Sequence, residues 1–209
     1  MEILVATANT HKFEEFNELL GQENSTFSIC KAKDALDVEE SGGSYTENAY
    51  LKAKAYYEKF KTPTMSDDSG LDVLSLPDEL GIYSARFGGE GLSDKDRVNL
   101  LLKKLQGKET EERQAAFTCV LCFYLGPKEV FFFEGKLTGY IADKITGTDG
   151  FGYDPVFIPF DHGEVLEKGK LEELFTLAEK PNWKRENSHR AKACCHALEF
   201  FKERVCQSG

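Results

Sequence analysis

Two adjacent carboxylates, Asp67 and Asp68, are the residues whose types and spacing point most directly to chemistry. Neighbouring residues on an extended strand point to opposite faces, so the two share one site only if the chain turns. Gly70, just after Ser69, predicts such a turn. Paired carboxylates suit a hard divalent cation such as Mg²⁺, or a base that activates water beside it. The alternative is a structural turn in which the Asp and Ser side chains bind local backbone groups.

The composition of the chain narrows the classes of function open to it. Its 209 residues carry a formal net charge of -10, which argues against a sequence-independent nucleic-acid binder, since such proteins present a broad basic face. A small anionic ligand still fits if the cations are gathered locally. The segment Met1–Val5 has no basic region or long apolar run, and no segment approaches the roughly 18 apolar residues of a membrane span. We therefore expect a cytoplasmic protein.

The six cysteines include one apparent metal or redox motif, Cys119 and Cys122. Both lie in the apolar run Ala115–Leu125, which is typical of a buried strand, and no second pair follows at zinc-site spacing. A buried strand is therefore the favoured interpretation and a metal or redox motif the alternative. We expect all six cysteines to be reduced thiols of the core.

A possible anion site lies near the N-terminus. The pattern predicts a strand over Glu2–Ala6, then a polar loop with Asn9 or Thr10 as N-cap, then a helix closed by Gly21. A helix N-terminus offers backbone N–H groups to an anion. Lys12 lies in the first turn, where the helix dipole disfavours a cation unless a phosphate binds there. The alternative for Lys12 is a solvated surface lysine.

A second cationic helix start closes the chain. After the charged segment Asp161–Asn187, which we expect to be mobile, Ser188-His189-Arg190 opens the last predicted helix. Two cationic helix starts beside a carboxylate pair suggest a polyanionic ligand.

The second predicted helix of the chain follows the one closed by Gly21. It begins at Ser44, where Ser44 and Glu47 match a capping box, and runs to about Lys61. Asn48 and Lys52 are four residues apart and so share a helix face. That face is either solvated or borders a ligand.

The middle of the chain predicts a mixed rather than a strictly parallel sheet. A helix begins at about Ser93, where Ser93 and Asp96 resemble a capping box. Glu109–Gln114 is a charged break that we interpret as a possible lobe boundary. Two β-rich runs joined at Gly126-Pro127 predict a hairpin. Helices and strands do not alternate strictly, which favours a twisted mixed sheet.

The stretch from Gly150 to Pro155 has the residues of a purine site. Glycines flank Phe151, whose ring could stack on a base, while Asp154, held extended before a proline, could accept a hydrogen bond from a ring N–H. The alternative is a glycine-rich hairpin whose aromatic residues belong to the core.

Together these segments resemble the inosine-triphosphate pyrophosphatase family, which hydrolyses deaminated purine nucleoside triphosphates. The resemblance covers most of the chain and depends on six segments in the family's order. These are Thr7–Lys12, Glu40–Asn48 with Lys52, Asp67–Leu71, Gly81–Arg86, Gly150–Pro155 and Ser188–Arg190.

The resemblance implies an α/β fold and one two-lobed catalytic domain over residues 1–209. A long twisted mixed β-sheet would be flanked by helices, with the substrate cleft between the lobes. It further implies a homodimer that, with Mg²⁺, converts a nucleoside triphosphate and water to the monophosphate and pyrophosphate.

The resemblance also implies roles for the acidic and phosphate-binding residues. Asp68 would be the general base and lie near the metal, Glu40 would bind the metal, and Asp67 would lie close by. The predicted triphosphate-binding residues are Thr7, Asn9, Lys12, Lys52 and Ser69.

On the side of the base, Phe151 would stack on the purine, and Asp154, His189 and Arg190 would contact its edge. Lys184 matches a lysine that the family places shortly before Ser188. Gly152 and Tyr153 complete the predicted substrate contacts.

Two other hypotheses remain open at this point. A related enzyme could act on modified pyrimidine triphosphates, which a base-preference assay would separate from a purine enzyme. A nucleotide-binding regulator without catalysis is the other, although the presence of Asp67, Asp68, Ser69 and Glu40 argues against it.

Overall fold

The computed structural model describes residues 1–21, 26–160, 171 and 174–207. The strands within these residues are β1 Glu2–Val5, β2 Ser28–Lys31, β3 Thr64–Val73, β4 Gln114–Gly126, β5 Glu129–Ile141 and β6 Phe157–Pro159. They form one sheet in the order β2-β1-β3-β4-β5-β6. β1 is parallel to β2 and β3, whereas β5 and β6 are antiparallel. The predicted mixed sheet is confirmed, as is a hairpin connection between β4 and β5.

Helices flank this sheet, and their starts follow the predicted caps. The helices of the described residues are α1 Thr10–Leu20, α2 Tyr45–Phe60, α3 Asp94–Lys104, α4 Pro181–Asn187 and α5 His189–Gln207. Asn9 caps α1, Ser44 caps α2, and Ser93 forms a capping box on α3. Among the described residues no helix is long and apolar enough to cross a membrane.

The chain divides into two compact units. The first comprises Met1–Ser69, Cys119–Gly135 and His189–Gly209, and the second comprises Gly70–Thr118 and Lys136–Ser188. Strands β3, β4 and β5 therefore contribute residues to both units. The lobe boundary that we predicted at Glu109–Gln114 is wrong, because these residues lie inside the second unit. There Thr110–Arg113 forms a 3-10 turn, with the buried Arg113 guanidinium donating to the carbonyls of neighbouring segments.

Each unit has its own hydrophobic core. The main core of the first unit packs side chains of β1, α1, β4 and α5, among them Val5, Phe16, Phe123 and Phe201. The main core of the second unit packs α3 against β3, β4 and β5, with Leu71, Leu101, Phe117, Ile141 and Phe157 among its members. In each unit the apolar faces of helices and strands are buried together, which supplies most of the stabilisation.

The turn predicted at Gly70 is wrong, since β3 continues without a break from Thr64 to Val73. The glycine serves a close approach of two backbone segments instead. A Cβ atom at Gly70 would overlap the carbonyl oxygen of Gly81 and lie 2.9 Å from Ser84 Oγ. Gly81 N donates to Leu71 O at 2.8 Å, so the two segments are held in this contact.

All six cysteines lie within the described residues and are free thiols. Cys119 and Cys122 are buried in β4, as predicted, and burial raises the pKa of each thiol to about 12. The expectation that all six belong to the core is wrong for Cys195 and Cys206. Both are exposed on α5. For Cys195 the reason is that it follows the buried Cys194, and neighbouring side chains on a helix point in different directions.

Part of the charged segment Asp161–Asn187, residues 161–170 and 172–173, lies outside the described residues, and with it the prediction of mobility there. The remainder contains a 3-10 turn over Leu177–Glu179 and the short helix α4.

The packing at Gly70 can be tested by substitution. Gly70→Ala is expected to destabilise the protein by about 2 kcal/mol because the new methyl group meets backbone that cannot move aside. For a chain of this size that loss corresponds to a melting temperature lower by roughly 4–8 °C. Gly126→Ala is the matched control, since the nearest atom to a Cβ there is Tyr57 Oη at 3.8 Å. Equal melting temperatures for the two variants would contradict the close approach.

Candidate active site

Asp67 and Asp68 lie side by side on β3, with only 1% and 5% of their surfaces exposed. Because β3 is an uninterrupted strand, the two side chains point to opposite faces. Burying a carboxylate is costly unless it is paired or hydrogen-bonded. Each side chain therefore has its own set of partners, and the two sets differ in charge.

Asp67 is surrounded by cations. Its Oδ2 accepts a hydrogen bond from Lys12 Nζ at 2.7 Å and from Ser69 Oγ at 3.2 Å, and the Arg190 guanidinium lies 3.8 Å away. Burial alone would raise the pKa of Asp67, but the charges of Lys12, Arg190 and Lys52 outweigh it and hold that pKa well below its usual range. Asp67 is therefore a firmly ionised counterion.

The loop before α1 places Lys12 in this pair. Thr7 Oγ1 accepts from Asn9 N at 3.2 Å, and Asn9 Oδ1 accepts from Lys12 N at 3.2 Å. The cation at the helix N-terminus is thus compensated by Asp67. A surface-only role for Lys12 does not fit this ion pair, and phosphate binding by Thr7, Asn9 and Lys12 stays a prediction.

Asp68 lies in a less cationic environment. Its Oδ2 accepts from Asn48 Nδ2 at 3.2 Å and its Oδ1 from Ser69 N at 3.1 Å. Burial, reinforced by the Glu40 carboxylate, raises the pKa of Asp68 to about 6 despite the opposing charge of Lys52. A carboxylate with a pKa near the working pH is suited to accept a proton in catalysis.

Lys52, on α2, contacts both the Glu40 carboxylate and the backbone of β3. Its Nζ pairs with the Glu40 carboxylate and donates to the backbone carbonyl of Asp67 at 3.0 Å. Burial would lower the pKa of Lys52, but the carboxylates of Asp67, Glu40 and Asp68 raise it, so the ammonium stays charged. The structure thus brings six of the predicted residues together in the first unit: Lys12, Glu40, Lys52, Asp67, Asp68 and Ser69.

The donor set partly fits a hard divalent cation. The described residues contain no group of three acidic, histidine or cysteine side chains already arranged around a metal position. Glu40 and Asp68 nevertheless interact unfavourably as like charges, and Glu40 contributes to the raised pKa of Asp68. A cation beside them would relieve this repulsion with oxygen ligands of the preferred kind. Asp67 fits less well, because Lys12 and Ser69 already donate to its Oδ2.

Arg190, in the first turn of α5, contacts the same region of β3. Its guanidinium pairs with Glu15 of α1 and donates to Ser69 Oγ at 3.1 Å. Burial would lower the pKa of Arg190, but Glu15 and Asp67 raise it, so Arg190 stays charged. The preceding residue, His189, is also buried. These contacts place Arg190 beside the acidic strand, and contacts of His189 and Arg190 with a base stay predictions.

A second group of predicted residues lies in the second unit. Asp154 Oδ2 accepts from Phe151 N at 2.9 Å and from Lys184 Nζ at 2.7 Å. The Lys184 ammonium also lies 4.7 Å from the centroid of the Phe151 ring. Gly150 has φ +79, and a Cβ atom there would overlap the Asp154 carboxylate. Phe151, Asp154 and Lys184 are therefore brought together as one compact group.

The backbone of this loop is fixed by two further contacts. Tyr153 Oη donates to Ser84 O at 2.8 Å, and Gly152 N donates to Asp94 Oδ2 at 3.0 Å. Tyr153 is buried, and burial raises the pKa of its hydroxyl. The expectation that Asp154 is extended is wrong, because a 3-10 turn begins at this residue. Its side chain points back along the chain and accepts a hydrogen bond from Phe151 N. Substrate contacts of Gly152 and Tyr153 stay predictions.

Four residues of these groups were not predicted as site residues: Glu15, Asn48, Ser84 and Asp94. Helical spacing indicated Asn48, which precedes Lys52 by four residues, only as part of a face that is either solvated or borders a ligand. It could also have indicated Glu15, which follows Lys12 by three residues on the same helix face. Ser84 and Asp94 act through contacts distant in sequence, for which the chain carries no local signal.

Comparisons with known proteins give a consistent result. A sequence model of the Ham1 family matches residues 3–200. Proteins named dITP/XTP pyrophosphatase from Malacoplasma penetrans and Geobacillus kaustophilus are 37% and 39% identical to this chain. The matches cover 98% and 100% of this chain, and 100% and 98% of those proteins.

Solved structures agree in fold. The Ham1 protein of Staphylococcus aureus superposes with a TM-score of 0.79 at 33% identity, over 98% of this chain and 100% of its own. The HAM1 protein of Coxiella burnetii gives a TM-score of 0.82 at 29% identity, over 97% of this chain and 99% of its own.

The contrast between the two carboxylates predicts opposite effects of the same substitution on stability. Asp67→Asn is expected to destabilise the protein by about 3 kcal/mol at pH 7, because it leaves buried cations without their counterion. Asp68→Asn removes a carboxylate whose ionisation is disfavoured by folding. As the pH rises, the unfolded chain releases the Asp68 proton near 3.8 and the folded chain only near 6, so the wild type loses stability between about pH 4 and 6.

The stability of Asp68→Asn relative to wild type should therefore increase by up to about 3 kcal/mol across that interval and stay constant above it. Urea unfolding at pH 4, 5, 6 and 7 measures both effects. Asp72→Asn, on an exposed position of the same strand, is the control. A pH-independent difference between wild type and Asp68→Asn would show that Asp68 titrates normally.

Proposed function

The chain belongs to the Ham1 family, and we propose that it hydrolyses aberrant purine nucleoside triphosphates such as ITP, dITP and XTP to the monophosphate and pyrophosphate. Such an activity would cleanse the nucleotide pool. The resemblance stated from six sequence segments is confirmed at the level of family, and its enzyme class is the one that the relatives' names give.

One observation carries the proposal. A carboxylate with a raised pKa, Asp68, directly follows one that is held ionised by cations, Asp67. The first property suits a general base, and the second keeps lysines charged and in place for a polyanion.

In the proposed reaction Asp68 accepts a proton from a water molecule while the oxygen of that water attacks the α-phosphorus. The bond from that phosphorus to the bridging oxygen of the β-phosphate breaks, and pyrophosphate leaves. The proton on Asp68 is then released to solvent, which restores the base. Because the developing charge lies on phosphoryl oxygens, positioned cations supply most of the stabilisation.

The triphosphate would be held by the cationic group of the first unit. Lys12 and Lys52 are both within reach of carboxylate or carbonyl oxygens of β3, so each can exchange a protein oxygen for a phosphate oxygen. Thr7, Asn9 and Ser69 would add hydroxyl, amide and backbone donors, as the resemblance implies.

We propose Mg²⁺ as the cofactor, with Glu40 and Asp68 as its protein ligands and Asp67 nearby. The cation would neutralise phosphate charge and relieve the repulsion between Glu40 and Asp68. Lys52, which pairs with Glu40, would then be released toward the phosphates.

Base selection is proposed to depend on the group in the second unit. Phe151 would stack on the purine, and Asp154 would accept the ring N–H that deaminated purines carry beside their 6-oxo group. Lys184, at 2.7 Å from Asp154, would donate to that oxo group. His189 and Arg190 are proposed as further donors. Adenine offers an amine and an unprotonated ring nitrogen instead, which would leave these groups mismatched.

From the family resemblance we further propose a homodimer and a cytoplasmic location. Sedimentation of the purified protein would test the oligomeric state.

Product identity tests the reaction directly. With ITP, XTP, GTP and ATP, each with and without Mg²⁺, we expect metal-dependent release of pyrophosphate from ITP and XTP and almost none from ATP. GTP carries the same ring N–H and 6-oxo group, so its turnover measures whether the site also rejects the 2-amino group. Asp68→Asn should lose most of kcat, on the order of 10²-fold or more, while nucleotide affinity changes by a few fold. Asp72→Asn should behave as wild type. Release of orthophosphate and a nucleoside diphosphate would show that water attacks the γ-phosphorus, which would contradict the proposed reaction. No turnover of any of the four would favour the pyrimidine or the binding-only hypothesis.

The base site is tested by Phe151→Ala. Losing one base–aromatic stack should weaken ITP binding by about 1–2 kcal/mol, or roughly 5- to 30-fold in KM, with a smaller change in kcat. Phe132→Ala, at a phenylalanine 42% exposed on β5, is the matched control. An unchanged KM for Phe151→Ala would exclude stacking on this ring.

A further inference from the structure

Asn48 is a fully buried polar side chain in the first turn of α2, with 0% of its surface exposed. A primary amide has two donors and one acceptor, and burying it is costly unless these groups are bonded. Its Oδ1 accepts from Gly42 N at 2.8 Å, and its Nδ2 donates to Asp68 Oδ2 at 3.2 Å. The orientation of the amide follows from its partners, because a backbone N–H only donates and a carboxylate accepts.

The contact with Gly42 fixes the loop that carries Glu40. A Cβ atom at Gly42 would lie 2.6 Å from Glu47 Cβ and 2.7 Å from Asn48 Oδ1, so the loop backbone packs tightly against α2. Two residues earlier, Glu40 pairs with Lys52 on the same helix. The Glu40 loop is thus attached to α2 at two points, and one of them is the Asn48 amide.

The contact with Asp68 fixes the carboxylate itself. Ser69 N donates to Oδ1 at 3.1 Å while Asn48 donates to Oδ2, so both oxygens have a donor and the plane of the group is set. Asn48 does so without adding a charge, unlike the lysines around it. A neutral donor can orient a carboxylate while leaving its basicity to the rest of the surroundings.

We propose that Asn48 is a positioning residue that holds Asp68 and the Glu40 loop in one geometry for hydrolysis. The inference rests on the function proposed above and deepens it. Asn48 acts through two other groups, and its loss should therefore affect turnover far more than nucleotide binding. Small displacements of a reacting group are known to cost large factors in rate.

The first experiment tests the hydrogen bond by exchanging its ends. Asn48→Asp keeps the acceptor for Gly42 N but puts a carboxylate against Asp68, so we expect a lower melting temperature. The double variant Asn48→Asp with Asp68→Asn restores a donor–acceptor pair with reversed roles and should regain at least half of that loss, beyond the change in melting temperature that Asp68→Asn alone produces in the wild type. Asn99→Asp, at an exposed position of α3, is the control for the added charge. A double variant no more stable than Asn48→Asp would overturn the proposed contact.

The second experiment tests the positioning role. Asn48→Ala, assayed well below its own melting temperature, should lose roughly 10- to 100-fold in kcat on ITP. Its affinity for a non-hydrolysable ITP analogue should stay within about threefold of wild type. A kcat within twofold of wild type, or equal losses of kcat and analogue affinity, would overturn the inference.

The wild type, assayed in parallel, separates this inference from the proposed function. A wild type inert toward all four triphosphates removes the function, and the positioning role falls with it. An active wild type beside an equally active Asn48→Ala removes only the role of Asn48.

Discussion

The alternation of side chains along β3 is the constraint on which the candidate site depends. Because the strand continues through Gly70, Asp67 and Asp68 point to opposite faces and meet different neighbours. One face receives cations from α1 and α5, and the other receives the Asn48 amide of α2. Two identical side chains, one residue apart, thereby acquire opposite shifts of their pKa values.

The three cations around Asp67 come from three different helices, which explains how positive charge is concentrated at this position of an acidic protein. Lys12, Lys52 and Arg190 lie in α1, α2 and α5, and each has a carboxylate partner: Asp67, Glu40 and Glu15. Buried charges persist only when paired, so these partners keep the cations ionised and ordered before any phosphate arrives. A site that is already organised loses less free energy on ordering when an anion binds.

Local chemistry could be predicted from the sequence, and contacts between distant segments could not. The caps at Ser44 and Ser93 were predicted correctly, and Asn9 was one of two predicted candidates, because a cap depends on residues three apart. Gly70 was misinterpreted because the segment that it accommodates, at Gly81, is fixed by tertiary packing. Lys184 was located only through a resemblance, yet the structure puts it on Asp154. The pairing of Arg190 with Glu15 gave no signal in the sequence beyond the spacing of Glu15 from Lys12 on α1.

The difference between the two carboxylates also argues for which one can act as a base. A base must bind a proton in the transition state, and Asp67 could do so only by giving up its attraction to Lys12 and Arg190. Protonated Asp68 gives up its attraction to Lys52 and Lys12, but burial and the Glu40 carboxylate outweigh that attraction and favour the protonated form. Its hydrogen bonds come from neutral donors, an amide and a backbone N–H. Neutral donors stabilise a carboxylate anion less strongly than an ammonium does. In the proposed reaction Asp67 would therefore order the cations, and Asp68 would accept the proton from water.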